Sequence, residues 1–269
     1  SAAFFAKAQY TFALSRNNKN HIAKSQITIG YTHYFKNEFS SAISKIFKSL
    51  NLYKELDNKM GIANCFMHLG LVSEKQGNYD MALQYYQSSL KLAEENNFQE
   101  LIASNLNNIG IIYSQQDKDV LALEYFFKTL KIDSTGKKHI ETASTLNNIG
   151  SIYLNKKQYD FALEMLFKSV EYHNKTNNKI GLIYPYNNIG CCYLEKGEFS
   201  ESKKYLNLAI KLQEGLKQRD NYTYTYSLIY LGQVYYNENK ISKAITEINE
   251  SYSKYRISDS SLYVQLYGG

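Results

Sequence analysis

Glycine recurs at an interval of forty residues: Gly30, Gly70, Gly110, Gly150 and Gly190, with Gly232 forty-two further on. Around three of them the chain repeats nearly the same phrase, LNNIGIIY at 106–113, LNNIGSIY at 146–153 and YNNIGCCY at 186–193. A fixed period of this size marks a stacked-repeat architecture. Each unit of such a stack buries its apolar face only against its neighbours. A chain of 269 residues would otherwise suggest one or two globular domains. The repeat makes 1–269 read as a single elongated array, so function is to be sought along a surface.

With each glycine as origin, the residue before it is always apolar: Ile29, Leu69, Ile109, Ile149, Ile189 and Leu231. Four before it stand Gln26, Phe66, Leu106, Leu146, Tyr186 and Leu228; three after it stand His33, Ser73, Tyr113, Tyr153, Tyr193 and Tyr235. Offsets of three and four place these on one helical face. Glycine lies in that face although it costs up to about 1 kcal/mol of helix propensity relative to alanine. Close approach of a second backbone explains the choice.

Twelve residues on come Ala42, Ala82, Ala122, Ala162, Ser202 and Ala244, which are expected to form the other half of that contact. Large apolar residues follow at +16 (Ile46, Tyr86, Phe126, Leu166, Leu206, Ile248) and +20 (Leu50, Leu90, Leu130, Val170, Ile210, Tyr252). This is a second amphipathic helix. Ser40, Asp80, Asp160, Ser200 and Ser242 are good N-cap residue types at its expected start. Turns such as Gln76-Gly77-Asn78 and Lys196-Gly197-Glu198 separate the two helices. Each repeat is thus an antiparallel helix pair.

The glycine, the small residue twelve later and the large apolar residue four beyond it resemble the tetratricopeptide repeat, six times over. The resemblance implies an all-α fold, a right-handed superhelical solenoid of antiparallel helix pairs. The period exceeds the usual length of about 34 residues, and the proline that commonly ends the second helix is missing. The extended repeat is similar to those of kinesin light chains and of Rap-type bacterial peptide receptors. HEAT and armadillo repeats share the longer period, but the glycine-to-alanine spacing argues against them. Pro185, five residues before Gly190, predicts a first helix that starts late or bends there. Ala2 to Leu14 reads as the second helix of an earlier repeat, and Ser260 to Tyr267 as the opening of a later one, with Gly268 near the next glycine slot. Six full repeats with a partial repeat at each end suggest a fragment of a longer protein.

A net charge of +6 is mild, and much of it, as at Lys91, Lys131 and Lys211, falls late in second helices. There a cation complements the helix dipole, so nucleic acid is not the expected partner. Three cysteines, two of them adjacent, make no disulfide framework. None of His21, His33, His68, His139 and His173 is spaced with another ligand type for metal; His33 sits at a buried-face offset. No glycine-rich phosphate loop and no run of about twenty apolar residues is present. Neither cofactor, metal, enzymatic activity nor membrane contact is expected of this region.

In tetratricopeptide superhelices the first helices line the concave side. Offsets −6, −3, +1 and +4 point there, away from the buried stripe. In three successive repeats they give Ser104, Asn107, Ile111, Ser114; Ser144, Asn147, Ser151, Leu154; and Tyr184, Asn187, Cys191, Leu194. Tyr31 and Tyr34 lie on one side, and Tyr226 and Tyr236 on the other. Asn107, Asn147 and Asn187 form one amide per repeat. Each amide can bond both the N–H and the C=O of an extended peptide; the resemblance implies that use, and the alternative is bonding to loops or water. Asn108, Asn148 and Asn188 are expected to tie adjacent repeats together. Lysines are sparse on the stripe, with Lys24 and Lys75 near the start, which disfavours a clamp for acidic tails. The expected partner is a neutral or mixed peptide or protein segment in the concave groove. That role suits the sensory or interaction part of a bacterial signalling protein, such as a histidine kinase or a transcriptional regulator. The competing readings are a standalone scaffold that self-associates through its repeat ends and, on charge alone, a nucleic-acid binder.

Overall fold

The computed structural model describes the backbone of residues 2–133, 139–216 and 221–255, and the side chains of 8–132, 141–216 and 223–249. The terminal partial repeat at Ser260 to Tyr267, Gly268, and the side chains of His139 and Tyr252 lie outside the described residues. Thirteen helices follow one another: α1 (Ala2–Ser15), α2 (Lys19–Phe35), α3 (Phe39–Glu55), α4 (Lys59–Lys75), α5 (Tyr79–Glu95), α6 (Gln99–Gln115), α7 (Asp119–Asp133), α8 (His139–Asn155), α9 (Tyr159–Lys175), α10 (Ile183–Glu195), α11 (Phe199–Glu214), α12 (Asn221–Asn237) and α13 (Ile241–Tyr255). No strand occurs among the described residues. The chain forms two compact units, Ser1–Gly136 and Lys137–Gly269.

The helices reveal a shorter period than the glycines do. From α2 to α6 every helix has 17 residues, and each begins twenty residues after the last. The repeat is therefore two twenty-residue halves, each a helix plus a three-residue turn. The turns share one construction. After α4, Gly77 takes a left-handed φ of 75°, its N–H bonds Glu74 O at 2.8 Å, and Asn78 N–H bonds Ser73 O at 2.9 Å. This pair of bonds is a Schellman cap, which satisfies carbonyls the helix leaves open. Asn37, Asp57, Asn97, Asp117 and Asn177 fill the left-handed slot of other turns. Asparagine and aspartate tolerate that conformation better than other non-glycine residues; Lys157, at φ 58°, does not share the advantage.

In most turns the residue after the left-handed one stands at the N-cap of the next helix. Asn18, Asn58 and Asn78 accept from backbone N–H groups three residues on. This corrects the expected caps. Ser40, Asp80, Asp160, Ser200 and Ser242 all lie inside the first turn, and the N-cap positions of α3, α5, α9 and α11 are Glu38, Asn78, Gln158 and Glu198. Asp80 and Asp160 still sit where a negative charge suits the helix dipole.

The expected residue at +12 does meet some of the glycines, such as Ala42 O at 3.3 Å from the Gly30 position, but most glycines lie nearer to a second partner. A Cβ on Gly70 would lie 2.5 Å from the Tyr86 ring, on Gly110 2.7 Å from Phe126, and on Gly150 2.6 Å from Leu166. The glycine thus admits the large residue at +16. The small residue at +12 contributes its backbone carbonyl, as with Ala162 O at 3.3 Å from the Gly150 position. The +16 side chains from Ile46 to Leu206 are wholly buried while Ile248 is half-buried, and burying a large apolar side chain contributes roughly 1.5–3 kcal/mol.

Hydroxyls lock the same hairpins. Ser49, Ser89 and Ser169 donate to Ala23, Ala63 and Ala143 carbonyls at 2.7–2.8 Å. Asn105 then donates to Ser89 Oγ at 2.8 Å, and the Cys65 thiol lies 3.5 Å from Ser49 Oγ, so the bond within one repeat is extended to the next. At a second junction size alternates: Tyr53 stacks on Gly61 and His173 on Gly181, whereas the smaller Ala93 precedes Leu101 at the same positions.

Pro185 behaves as its position requires. α10 begins at Ile183, four residues later than the twenty-residue register, so proline falls in the first turn, where its missing N–H has no partner to lose. In each unit, consecutive helices pack together. In addition α2 touches α4 and α4 touches α6; α8 touches α10 and α10 touches α12. Among the described residues the second helices of a unit do not touch one another.

Candidate functional site

Closer first helices and splayed second helices make the first-helix side the inner face of each unit. In the first unit that face is half-exposed along its length. α2 contributes Ile27, Tyr31 and Tyr34, α4 contributes Asn64, Met67, Leu71 and Glu74, and α6 contributes Ser104, Asn107, Ile111 and Ser114, all of intermediate exposure. Phe35 closes α2 and is 68% exposed.

Aromatic rings gather at the C-terminal end of α2 and meet His68 in the middle of α4. Tyr31 packs against Tyr34 at 5.5 Å, against Phe35 at 5.3 Å and edge-on against His68 at 5.2 Å. Burial lowers the His68 pKa to about 4, and its Nδ1 has no hydrogen-bond partner. The Lys75 ammonium lies 4.5 Å over the Tyr34 ring. Glu74 accepts from the Tyr86 hydroxyl at 2.6 Å and from the Gln115 side chain. Burial raises the Glu74 carboxyl pKa despite those donors. The Tyr86 phenol is raised by burial first and by Glu74 second. Glu74, Met67 and Leu71 lie on this face beside the amides expected from the sequence. The repeat register places Glu74 there: it stands at +4, where other repeats carry Tyr34, Ser114, Leu154, Leu194 and Tyr236.

The second unit treats the same positions differently. Ser144 is exposed, Tyr184 is 51% exposed and Tyr236 is 63% exposed, while Asn147, Ser151, Leu154 and Tyr226 are half-buried. Asn187, Cys191 and Leu194, expected to line the groove, are instead buried. Asn187 is 2% exposed, its Oδ1 accepts from Ser227 Oγ at 2.7 Å, and its Nδ2 has no partner. Tyr226 covers Cys191, its hydroxyl 4.0 Å from the sulfur. Burial pushes up the Cys191 thiol pKa and takes that of Cys192 to about 12, so neither is a ready nucleophile. Asn188 donates to Asn147 Oδ1 at 3.1 Å, which ties two repeats as expected and uses one acceptor of a proposed ligand amide. Asn107 belongs to the first unit, and Asn147 and Asn187 to the second.

His33 is not in the core. It is half-buried, pairs with Glu38, and faces an open cleft of about 770 Å³ shared with Tyr10, Thr11, Ser40, Ser41, Ser44 and Lys45. Among the described residues, no three histidine, cysteine or acidic side chains cluster for a metal, and no helix is long and apolar enough to cross a membrane.

No curated protein matches the sequence. Solved structures share the fold. The APC/C hetero-tetramer Cut9-Hcn1 aligns with a TM-score of 0.76 at 16% identity over 99% of this chain and 46% of its own. Aspartyl phosphate phosphatase F from Bacillus subtilis gives 0.68 at 15% identity, over 89% of this chain and 61% of that one. NprR in complex with its cognate peptide NprX gives 0.63 at 19% identity, over 91% and 70%. A tetratricopeptide-repeat family model matches residues 61–135 and 141–215, more than half of the 269-residue chain and two blocks of the paired helices described above. The chain belongs to the tetratricopeptide-repeat family.

Proposed function

We propose that this chain is a peptide- or protein-binding domain whose ligand lies along the inner face of the first unit. The carrying observation is the half-exposed apolar row Ile27, Met67, Leu71 and Ile111, bounded by the Tyr31, Tyr34 and Phe35 rings. Exposed apolar surface gathered in a groove and rimmed by polar groups marks an interaction site. Asn64, Ser104 and Asn107 border the row and supply the polar partners an extended backbone requires. The amide contribution of the sequence reading is thereby reduced to Asn107 in this unit and Asn147 in the other.

The likeness to NprR with its cognate peptide and to aspartyl phosphate phosphatase F supports a place in a bacterial signalling protein. Determination of the complete gene checks that part: a kinase or DNA-binding segment is expected beside this domain, and a gene without either removes the signalling context.

Random heptapeptides displayed on phage test the site. Selection on the wild-type protein is expected to enrich binders that lose about tenfold or more in affinity on Leu71→Asp and Ile111→Asp, as removal of a central apolar contact does. Binders that hold equally to both folded variants place the ligand elsewhere.

A further inference from the structure

The inner face of the first unit carries an acid, Glu74, whose charge meets no cation in an ion pair among the described residues. Glu74 is half-buried, yet it makes no ion pair, in contrast to the exposed carboxylates of Glu124, Glu164 and Glu171, each matched by a lysine. Its two contacts are a phenol and an amide, neutral donors that fix its position without cancelling its charge. A desolvated carboxylate gains more from a cation than an exposed one does, because the local dielectric is lower. Tyr34 lies close enough for its phenol to feel the Glu74 charge, and Tyr31 and Phe35 pack against the Tyr34 ring. Aromatic faces attract ammonium and guanidinium groups. One such contact already exists: Lys75, the next residue, rests its ammonium on Tyr34. The acid and the rings also sit at the C-terminal ends of α4 and α2, where helix dipoles are negative.

We propose that this corner reads a basic side chain of the bound segment, the guanidinium of an arginine or the ammonium of a lysine, seated between the Glu74 carboxylate and the Tyr34 ring. Lys75 occupies the ring when no ligand is present and is displaced by it. Lys24 and Lys75, the cations on this face, set the limit: a single basic residue is accepted, whereas a run of them is repelled. The inference rests on the peptide-binding reading above and gives it a ligand class.

The displayed heptapeptides and their synthetic copies test it. Wild-type protein is expected to enrich sequences with arginine or lysine at one fixed place. Replacing that residue by uncharged citrulline is expected to weaken binding about tenfold on wild type, the size of a desolvated cation–aromatic and ionic contact. The same replacement is expected to cost no more than about twofold on Glu74→Gln, whose amide oxygen still accepts from Tyr86 and so preserves the fold. Tyr34→Leu, on the half-exposed side of α2, gives an independent loss if Glu74→Gln is unstable. Lys75→Met is expected to tighten the arginine peptide about threefold by vacating the ring. Enrichment of peptides without a fixed basic residue overturns the proposal while leaving peptide binding intact. So does enrichment of acidic peptides that weaken on Lys75→Met, which would make that lysine the reader of an anion. Failure to enrich any peptide ends both readings.

Discussion

α4 and α10 occupy equivalent places, each the middle first helix of its unit, yet they present opposite surfaces. The inner positions of α4, Asn64, Met67, Leu71 and Glu74, are all partly open. Those of α10 after Tyr184, namely Asn187, Cys191 and Leu194, are closed. The difference comes from the neighbour. α6 offers Ser104, Asn107 and Asn108 at −6, −3 and −2, and α12 offers Tyr226, Ile229 and Tyr230 at the same offsets. Small side chains leave the adjoining helix exposed; the tyrosines, their rings tilted against each other at 4.4 Å, cover it. A groove along these repeats thus depends less on a helix's own residues than on the bulk of those on the next helix. The first unit keeps such a groove, and the second fills its own.

The largest effect is expected from acid, and it weighs on the first unit through His68 although burial also lowers the His173 pKa in the second. His68 has its pKa lowered by burial to about 4 from an ordinary value of 6.5. Its folded form resists protonation, so its contribution to stability is intact above about pH 6.5 and is lost as pH falls toward 4, by about 3 kcal/mol in all. Chemical denaturation of wild type and His68→Gln at pH 7.5 and pH 4 is expected to converge for the variant. Equal acid sensitivity in both would show that another group carries it.

Asn187 and Asn147 share a sequence offset and should part in stability. Asn187→Ala removes the acceptor of Ser227 in a buried place and is expected to cost about 1–2 kcal/mol. Asn147→Ala, half-exposed, is expected to cost less than about 1 kcal/mol. Comparable losses would contradict the contrast between a sealed amide and an open one.

Covering can also be undone. Tyr226→Ala is expected to speed labelling of Cys191 by an exposure-dependent thiol reagent about tenfold, since the ring no longer shields the sulfur. Unchanged labelling would mean that α12 closes the face by its backbone alone. The smallest effect lies in the turns. Lys157→Gly, at a left-handed position that Gly197 occupies in the following repeat, is expected to raise stability by about 0.5–1 kcal/mol, read from the denaturation midpoint.

Much of this fold was legible in the chain. The glycine phrase and its offsets located both helices of each repeat, because helical periodicity and the need for close approach act locally. Pro185 announced the late start of α10 for the same reason. The N-caps were displaced by two residues because serine and aspartate suit the first turn almost as well as the cap, and only hydrogen bonds distinguish the two. The sequence pointed to the backbone at the small +12 residue as the partner of each glycine, and that contact is present at Gly30, Gly150 and Gly232. The structure adds a match between unlike residues, a glycine against a ring or a leucine.

The sequence by itself thus determined the unit: a helix pair in fixed register, with one face buried and another turned to the inside of the stack. Tertiary structure decided which inner positions stay open. Asn107, Asn147 and Asn187 sit in the same local phrase, and only the packing of α12 on α10 sealed the last. Exposure depends on side chains forty residues away in sequence, whose volumes no local pattern reports, and so does the isolation of the Glu74 charge among rings from two helices.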